Sequence, residues 1–503
     1  MFVRKKKNKS GSTSIQIIQK LKRKNKVVKT IGSSFDDNEI DMLYRQAQEA
    51  LPLMFNQLAL FTEACDTPTV SELTNDSIRI IGPEQIFGKI FKHIGFNKIK
   101  DHLFKDLAIS RITHPGSKLQ LSKYLHENHD KNISADKIYY FLDKLNAKYK
   151  PQIEDISFSY TKQLLGGRVG IVFYDMTTIY FESSQPDELR VPGFSKDGKH
   201  QHPQIFLGLL VGKNGYPIGY DIFEGNTFEG HTLIPILERF QERFKLDKPI
   251  VVADAGLLSR GNLKALEEND YTFILGARIK NESKAVVQKI WQFKHIDGQI
   301  DRIDKVDGTI LFVSYSDRRA KKDLSNRQRG LKRLEKNLKA GRLTKSNINN
   351  KGYNKYLSMK GDVLITIDYE KFNTDAAWDG LKGYITNTDL SGKQVVENYN
   401  NLWKIEKAFR ISKTDLKIRP IYHRIRERIE AHICISFVSF VLYKELERTL
   451  IECHLNISIM EAIKQIKKMY GIRIKVDKDN FQIIHLKNNE MQQRIIDVVE
   501  ANF

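Results

Sequence analysis

Two short runs near the start alternate β-branched and polar residues, Ser14-Ile-Gln-Ile-Ile-Gln-Lys20 and Lys26-Val-Val-Lys-Thr-Ile-Gly32. They are joined by Leu21-Lys-Arg-Lys-Asn25, and together predict a β-hairpin with a cationic tip. The acidic helix start Asp36-Asp-Asn-Glu39 then hands over to helical spacing, which predicts helices over 38–60, 83–95, 101–110, 116–127, 135–146 and 151–165. From Arg168 the period changes to that of strands: Val169–Asp175, Thr178–Glu182, Gln204–Val211 and Pro217–Phe223, the last two flanking the turn Gly212-Lys-Asn-Gly215. A helix over 231–244, a buried strand over 249–253, a helix over 260–268 and a strand Tyr271–Leu275 follow. Strands first in hairpins and then alternating with helices predict a mixed α/β sheet.

Between Ala277 and Trp378 that rhythm breaks. Ile300–Val306 and Thr309–Tyr315 read as paired strands, and Arg318–Lys345 as a helix dense in lysine and arginine. The α/β pattern resumes at Gly361–Asp368 and Gly383–Thr386, followed by long helices over 393–414 and 424–451 and a tail of helix, two strands and helix. These shifts divide the chain into 1–165, a hairpin and helical region; 166–276, the first part of an α/β core; 277–378, an insertion; 379–452, the second part of the core; and 453–503, a C-terminal region. No internal repeat or low-complexity tract interrupts them.

Charge narrows what such a chain does. It carries a formal net charge of +21 over 503 residues, with an isoelectric point near 9.5. Such an excess of lysine and arginine favours a polyanionic partner, because neutralising phosphates releases condensed counterions. The longest apolar run, near Ile433–Tyr443, is too short for the roughly 20 residues that cross a bilayer, so no membrane partner is expected. The basic start Met1-Phe-Val-Arg-Lys-Lys-Lys lacks the apolar stretch of a secretory signal, so a cytoplasmic location is expected. Cys65, Cys434 and Cys453 have no metal-binding or disulfide spacing and read as reduced packing residues. The helix at Ser134–Leu145 fits both a DNA recognition helix and an amphipathic helix that turns Ile138, Phe141 and Leu145 inward. The basic stretch 318–345 fits both a solvated surface helix and a DNA-contacting arm.

The candidate chemistry lies in three carboxylates. Asp175 and Asp254 each close a strand-like run, where open α/β sheets present their ligands. A pair of buried carboxylates needs cations, and Mg²⁺ favours a few carboxylates together with phosphate oxygens and water. Downstream, Tyr399, Glu406, Arg410 and Lys413 fall at about 0°, 340°, 20° and 320° around a continuous helix, one face carrying a carboxylate, cations and a phenol. His231 reads as a helix-start residue, Glu224 and Glu229 as outer groups, and Glu182 and Glu397 as competitors that the spacing disfavours against Glu406.

These residues resemble the DDE transposases of bacterial insertion sequences, in the group with a Y-x2-R-x3-E-x6-K signature around the catalytic glutamate. Tyr399, Glu406 and Lys413 match that signature, with Leu402 in place of the arginine. The similarity takes in Asp175-Met-Thr177, Asp254-Ala-Gly-Leu257 and Asp415-Leu-Lys-Ile-Arg-Pro-Ile-Tyr-His-Arg424, and covers roughly residues 168–450. The resemblance implies an RNase H-like catalytic core interrupted by a β-containing insertion, and Mg²⁺ or Mn²⁺, as two ions, on Asp175, Asp254 and Glu406. It implies DNA contacts by Tyr399 and Lys413, with Arg410 offering the charge that Leu402 lacks. Its partners would be double-stranded DNA, as transposon ends and target, and a second copy of the chain in a homodimer. In some relatives an insertion aromatic holds a flipped base, for which Trp291 is the candidate here. A metal-dependent nuclease without joining activity and a noncatalytic DNA-binding regulator are the alternative functions.

Overall fold

The computed structural model describes residues 2–21, 24–58, 73–182, 185–193, 201–228, 231–245, 247–349, 352–360, 364–475 and 481–503. In chain order the elements begin β1 (Phe2–Lys7), β2 (Thr13–Leu21), β3 (Lys24–Ser34), α1 (Asp37–Leu58) and β4 (Ile78–Ile80). Five helices follow, α2 (Gly82–Ile94), α3 (His102–Thr113), α4 (Lys118–His129), α5 (Ala135–Lys144) and α6 (Lys150–Leu164). Next come β5 (Ile171–Tyr180), β6 (Gln204–Val211), β7 (Pro217–Glu224), α7 (Leu233–Phe244), β8 (Ile250–Ala253), α8 (Arg260–Glu268) and β9 (Phe273–Ala277). The middle of the chain forms α9 (Lys284–Trp291), β10 (Ile300–Asp304), β11 (Ile310–Tyr315), α10 (Asp317–Lys339), β12 (Leu357–Lys360), β13 (Leu364–Ile367), α11 (Tyr369–Thr374) and β14 (Leu381–Thr386). The last elements are α12 (Gly392–Asn400), α13 (Trp403–Arg410), α14 (Arg426–Glu452), α15 (Ile459–Ile466), β15 (Tyr470–Lys475), β16 (Phe481–His485) and α16 (Glu490–Asn502).

The chain separates into two units, Met1–Ile81 with Met469–Asn488, and Gly82–Lys468 with Asn489–Phe503. In the first, the expected hairpin is β2–β3, and β1 adds a third antiparallel strand. The run Arg4-Lys-Lys-Lys7 has no apolar alternation to announce a strand; its register on β2 comes from ladder pairing, with Val3 packed on the core of Ile15, Ile17, Ile40 and Ala47. At the hairpin tip, Lys22 and Arg23 lie outside the described residues. A second small sheet joins β4 to β15 and β16.

The larger unit is built on an eight-stranded sheet in the order β10-β11-β14-β9-β8-β5-β6-β7. Within it β5, β6 and β7 are antiparallel, while β8 and β9 add parallel to β5. Five strands in sequence, laid out β9-β8-β5-β6-β7, form the RNase H-like arrangement within a mixed α/β fold. The two strands expected at Val169–Asp175 and Thr178–Glu182 are one, β5, because Thr177 and Thr178 continue the ladder on Leu207 and Phe206. The hairpin β10–β11 extends the same sheet through β14.

One face of the sheet buries Tyr174, Met176, Val251 and Ala253 against Leu233, Ile236 and Leu237 of α7. The Tyr174 hydroxyl donates to Thr232 Oγ1 at 2.8 Å, fixing the start of that helix. The apolar run near Ile433–Tyr443 belongs to α14, whose residues are buried almost all round, as a helix in the middle of a domain requires. Among the described residues, no helix is long and apolar enough to cross a membrane. Cys434 is a buried free thiol, Cys453 an exposed one, and Cys65 lies outside the described residues.

The continuous helix expected over 393–414 is not continuous. It breaks into α12, a tight turn at Asn401–Leu402, α13, and a π-turn over Ile411–Asp415. In the turn, Leu402 N–H donates to the Tyr399 carbonyl and Ile405 N–H to the Leu402 carbonyl, both at 3.0 Å and both one residue shorter than α-helical spacing. That re-phasing lets Val395 and Tyr399 of α12, and Ile405, Ala408 and Phe409 of α13, all be buried.

Candidate active site

The register of the sheet brings two of the carboxylates together. Tyr174 pairs with Ala253 across parallel β5 and β8, so the next residues, Asp175 and Asp254, stand side by side. Strand pleating puts both on the face opposite Tyr174 and Ala253, which belong to the α7 core. Asp175 is half-buried within β5, and Asp254 is exposed just beyond β8. Asp254 also caps the short turn that follows, its Oδ1 accepting from the Ala255 N–H at 2.6 Å.

Tyr399 reaches the same place from α12. Its ring is 6% exposed, and its hydroxyl donates to Asp254 Oδ1 at 3.2 Å. A methyl group at Gly276 of β9 would overlap that hydroxyl, so only glycine leaves room for the contact. Burial first, then the charge of Asp254, raises the Tyr399 pKa well above the usual phenol value and keeps it the donor.

A cation that the sequence did not announce completes the cluster. Lys382, on β14, holds its Nζ 4.3 Å from the centre of the Tyr399 ring, a cation–π distance. Burial, then the Arg319 guanidinium, lowers the ammonium pKa, while Asp254 and Glu406 act in the opposite sense. Glu406 is exposed on α13, a helix that packs against β5, the strand of Asp175. A lone lysine in a β-strand has no spacing signal; only the pairing of β14 with β9 carries it to this edge.

Residues 168–442 match the transposase DDE domain family. The chain belongs to that family. The match spans more than half of the sequence and carries this conclusion by itself. No curated protein sequence matches the chain. Among solved structures it is similar to a piggyBac transposase synaptic complex with hairpin DNA, at 9% identity and a TM-score of 0.40 over 76% of each chain. It is also similar to a Mos1 transposase paired-end complex with the left transposon end, at 14% identity and a TM-score of 0.16, over 34% of this chain and 56% of that one. A Mos1 mariner paired-end complex with Mn gives 16% identity and a TM-score of 0.14, over 34% and 57%.

In this DDE domain the other candidates take varied places. Arg410 is exposed at the end of α13, and Lys413 is half-buried in the π-turn that follows. Leu402, in the signature's arginine position, is buried at the turn between α12 and α13. His231 precedes α7 with its ring 5.3 Å from Phe228, Glu224 ends β7, and Glu229 lies outside the described residues. Glu182 follows β5 and Glu397 lies on α12, both exposed. Trp291 ends α9, half-exposed, 5.9 Å from Trp378.

As for a divalent ion, Asp175 and Asp254 supply oxygen donors side by side, and Tyr399 orients one of them from behind, as outer-shell partners of metal-binding carboxylates do. Among the described residues, no three acidic, histidine or cysteine side chains stand close enough together to hold an ion. The arrangement fits two carboxylate ligands, Asp175 and Asp254.

Proposed function

We propose that this chain is a DNA transposase that cleaves DNA at the ends of its element and joins the freed 3′-hydroxyl to target DNA, and that Asp175, Asp254 and Glu406 are its catalytic residues. The observation that carries the proposal is the adjacency of Asp175 and Asp254 across β5 and β8, braced by Tyr399. These three carboxylates would hold Mg²⁺ or Mn²⁺, as two ions on a shared donor set, which when bound supply charge stabilisation for in-line displacement at phosphorus.

The chain's own groups have distinct tasks in that chemistry. Water adds to phosphorus as the P–O3′ bond breaks, leaving a 3′-hydroxyl; that hydroxyl then attacks a target phosphodiester and displaces its 3′ oxygen. Tyr399 holds the Asp254 carboxylate in one orientation, and Lys382 brings a positive charge to the site in the absence of the signature arginine. Lys413 and Arg410 contact DNA phosphates near the cut. Residues 1–165 recognise the ends, and two copies of the chain bring two ends together.

The test uses purified wild-type protein and Asp254→Ala with labelled DNA from the flanks of its gene, a target plasmid, and either Mg²⁺ or EDTA. Metal-dependent cleavage with joined product, lost in Asp254→Ala while end binding persists, supports the transposase. Cleavage without joined product points to a nuclease, and binding without cleavage to a noncatalytic regulator.

A further inference from the structure

Helix α10 has two unlike faces. On one, Arg327, Gly330 and Leu334 are buried. Arg327 donates to Asp379 Oδ2 at 2.6 Å and to the Phe372 carbonyl at 3.1 Å, and Leu334 packs with Tyr356, Leu357, Ile367 and Phe372. A methyl group at Gly330 would overlap the ring of Tyr353, so the helix lies close on that residue. These contacts fix how α10 is turned about its axis. At about 100° per residue, Arg318, Lys322, Arg329, Lys332, Arg333 and Lys336 fall within an arc of about 100° on the opposite side, and all six are exposed. The one other residue of the helix in that arc is Ser325.

The acids of the helix lie elsewhere. Asp323 Oδ2 accepts from the Gly380 N–H at 3.2 Å and stands 3.6 Å from Arg319 Nε, Glu335 accepts from the Tyr369 hydroxyl at 3.0 Å, and Asp317 is the first helical residue. Among the described residues, none of the six cations forms an ion pair. A helix that meets only water gains from opposite charges four residues apart, which attract. Here Arg318 and Lys322, Arg329 and Arg333, and Lys332 and Lys336 set like charges at that spacing, and these repel. A row of phosphates relieves the repulsion and releases its own counterions in doing so. The apolar side of α10 is held in the core, so the cationic side meets its partner as a rigid, polar surface with nothing to insert into a bilayer.

Sheet register places the start of this face. Ser314 and Tyr315 of β11 pair with Lys382 and Leu381 of β14, and α10 begins two residues later. Lys382 is the residue whose Nζ lies 4.3 Å from the centre of the Tyr399 ring, and Tyr399 donates to Asp254. The helix therefore sets out from the edge of the sheet that carries the candidate site. From Arg318 to Lys336 its cationic face runs about 27 Å, the span of roughly eight phosphates along one strand of B-DNA.

We propose that the outer face of α10 binds the phosphate backbone of duplex DNA extending beyond the cleavage site, without reading its sequence. The inference rests on the transposase reading for its partner and uses none of the three carboxylates.

The full chain is titrated with mixed-sequence duplex DNA in EDTA, where neither cleavage nor end recognition contributes. Wild type is compared with a variant carrying Lys332→Gln, Arg333→Gln and Lys336→Gln. Loss of three phosphate contacts should lower the slope of log K against log salt by about 2.7, so that between about 50 and 200 mM salt the variant loses about 40-fold less affinity than wild type. Its Tm should be no lower, because exposed like charges are removed. A second variant, Arg168→Gln, Lys245→Gln and Lys248→Gln, gives up the same net charge at exposed positions where β5 and β8 begin, and should keep the wild-type slope. A wild-type slope in the α10 variant, or an equal fall in the second variant, overturns the role of α10 and leaves the transposase reading standing. A wild-type chain that binds no duplex overturns both.

Discussion

Replacing Tyr399 by phenylalanine isolates a single hydroxyl at the proposed site. The residue is 6% exposed, its ring meets that of Tyr384 edge-on at 5.0 Å and carries Lys382 at 4.3 Å, all of which phenylalanine keeps. What goes is one O–H donated to Asp254 at 3.2 Å. A hydrogen bond to a charged group contributes about 1.5–3 kcal/mol, but this one is long for O–H···O and its acceptor is exposed, so water recovers part of it and about 1 kcal/mol is lost from folding. The larger effect is expected on metal binding, because removing an outer partner of a ligating carboxylate lowers metal affinity or activity roughly 10–100-fold. The assay is cleavage of labelled end DNA against Mn²⁺ concentration, beside DNA binding in EDTA. Tyr399→Phe should raise the half-saturating Mn²⁺ roughly tenfold and leave binding in EDTA unchanged. Weaker binding in EDTA with an unaltered Mn²⁺ requirement would refute the bracing role and make Tyr399 a DNA contact, as its resemblance to the signature tyrosine implies.

Other perturbations reach different parts of the molecule. Lys382→Gln should weaken duplex binding and lower its salt slope by about 0.9 if the ammonium meets a phosphate; an unchanged slope would confine Lys382 to its contact with the Tyr399 ring. Burial, then Lys118, Arg111 and Arg428, pushes the His423 pKa from 6.5 down to about 3, so below pH 6.5 the unfolded chain takes up the proton first. Stability should therefore fall as pH drops from about 6.5 toward 3, by at most about 1.4 kcal/mol per pH unit for this group, and His423→Gln should flatten that fall in Tm against pH. Buried Arg327 donates to Asp379 Oδ2 at 2.6 Å and to the Phe372 carbonyl at 3.1 Å, so Arg327→Met should cost about 3 kcal/mol in denaturant unfolding. Asp379→Asn in the same chain should restore part of that loss, and no recovery would place the cost in packing on Phe372 instead.

Much of the architecture was legible along the chain because it is written in local periods. The β2–β3 hairpin, the run of helices from α2 to α6 and the sequence of strands from β5 to β9 all follow from alternation or helical spacing that a dozen residues contain. Asp254 is found in the same way, since an apolar run ending in aspartate and followed by Ala255-Gly256 is visible without a fold. What escaped was decided between distant segments. β1 is a strand because β2 offers it a ladder, and β5 passes through Asp175 because β6 pairs with both halves. A helical wheel treated 393–414 as one rod, whereas the burial of both Tyr399 and Ile405 demanded a turn between them.

The sequence by itself determined which side chains seek burial, how long the elements run, that the chain is strongly basic, and which carboxylates stand where a sheet presents ligands. The tertiary structure decided who meets whom. Only the parallel register of β5 on β8 sets Asp175 beside Asp254, only the close approach allowed by Gly276 lets Tyr399 reach Asp254, and only the pairing of β14 with β9 brings Lys382 to the Tyr399 ring. Register and helix phase are settled by packing between residues far apart in the chain, and a local pattern carries no information about a neighbour that lies more than a hundred residues away.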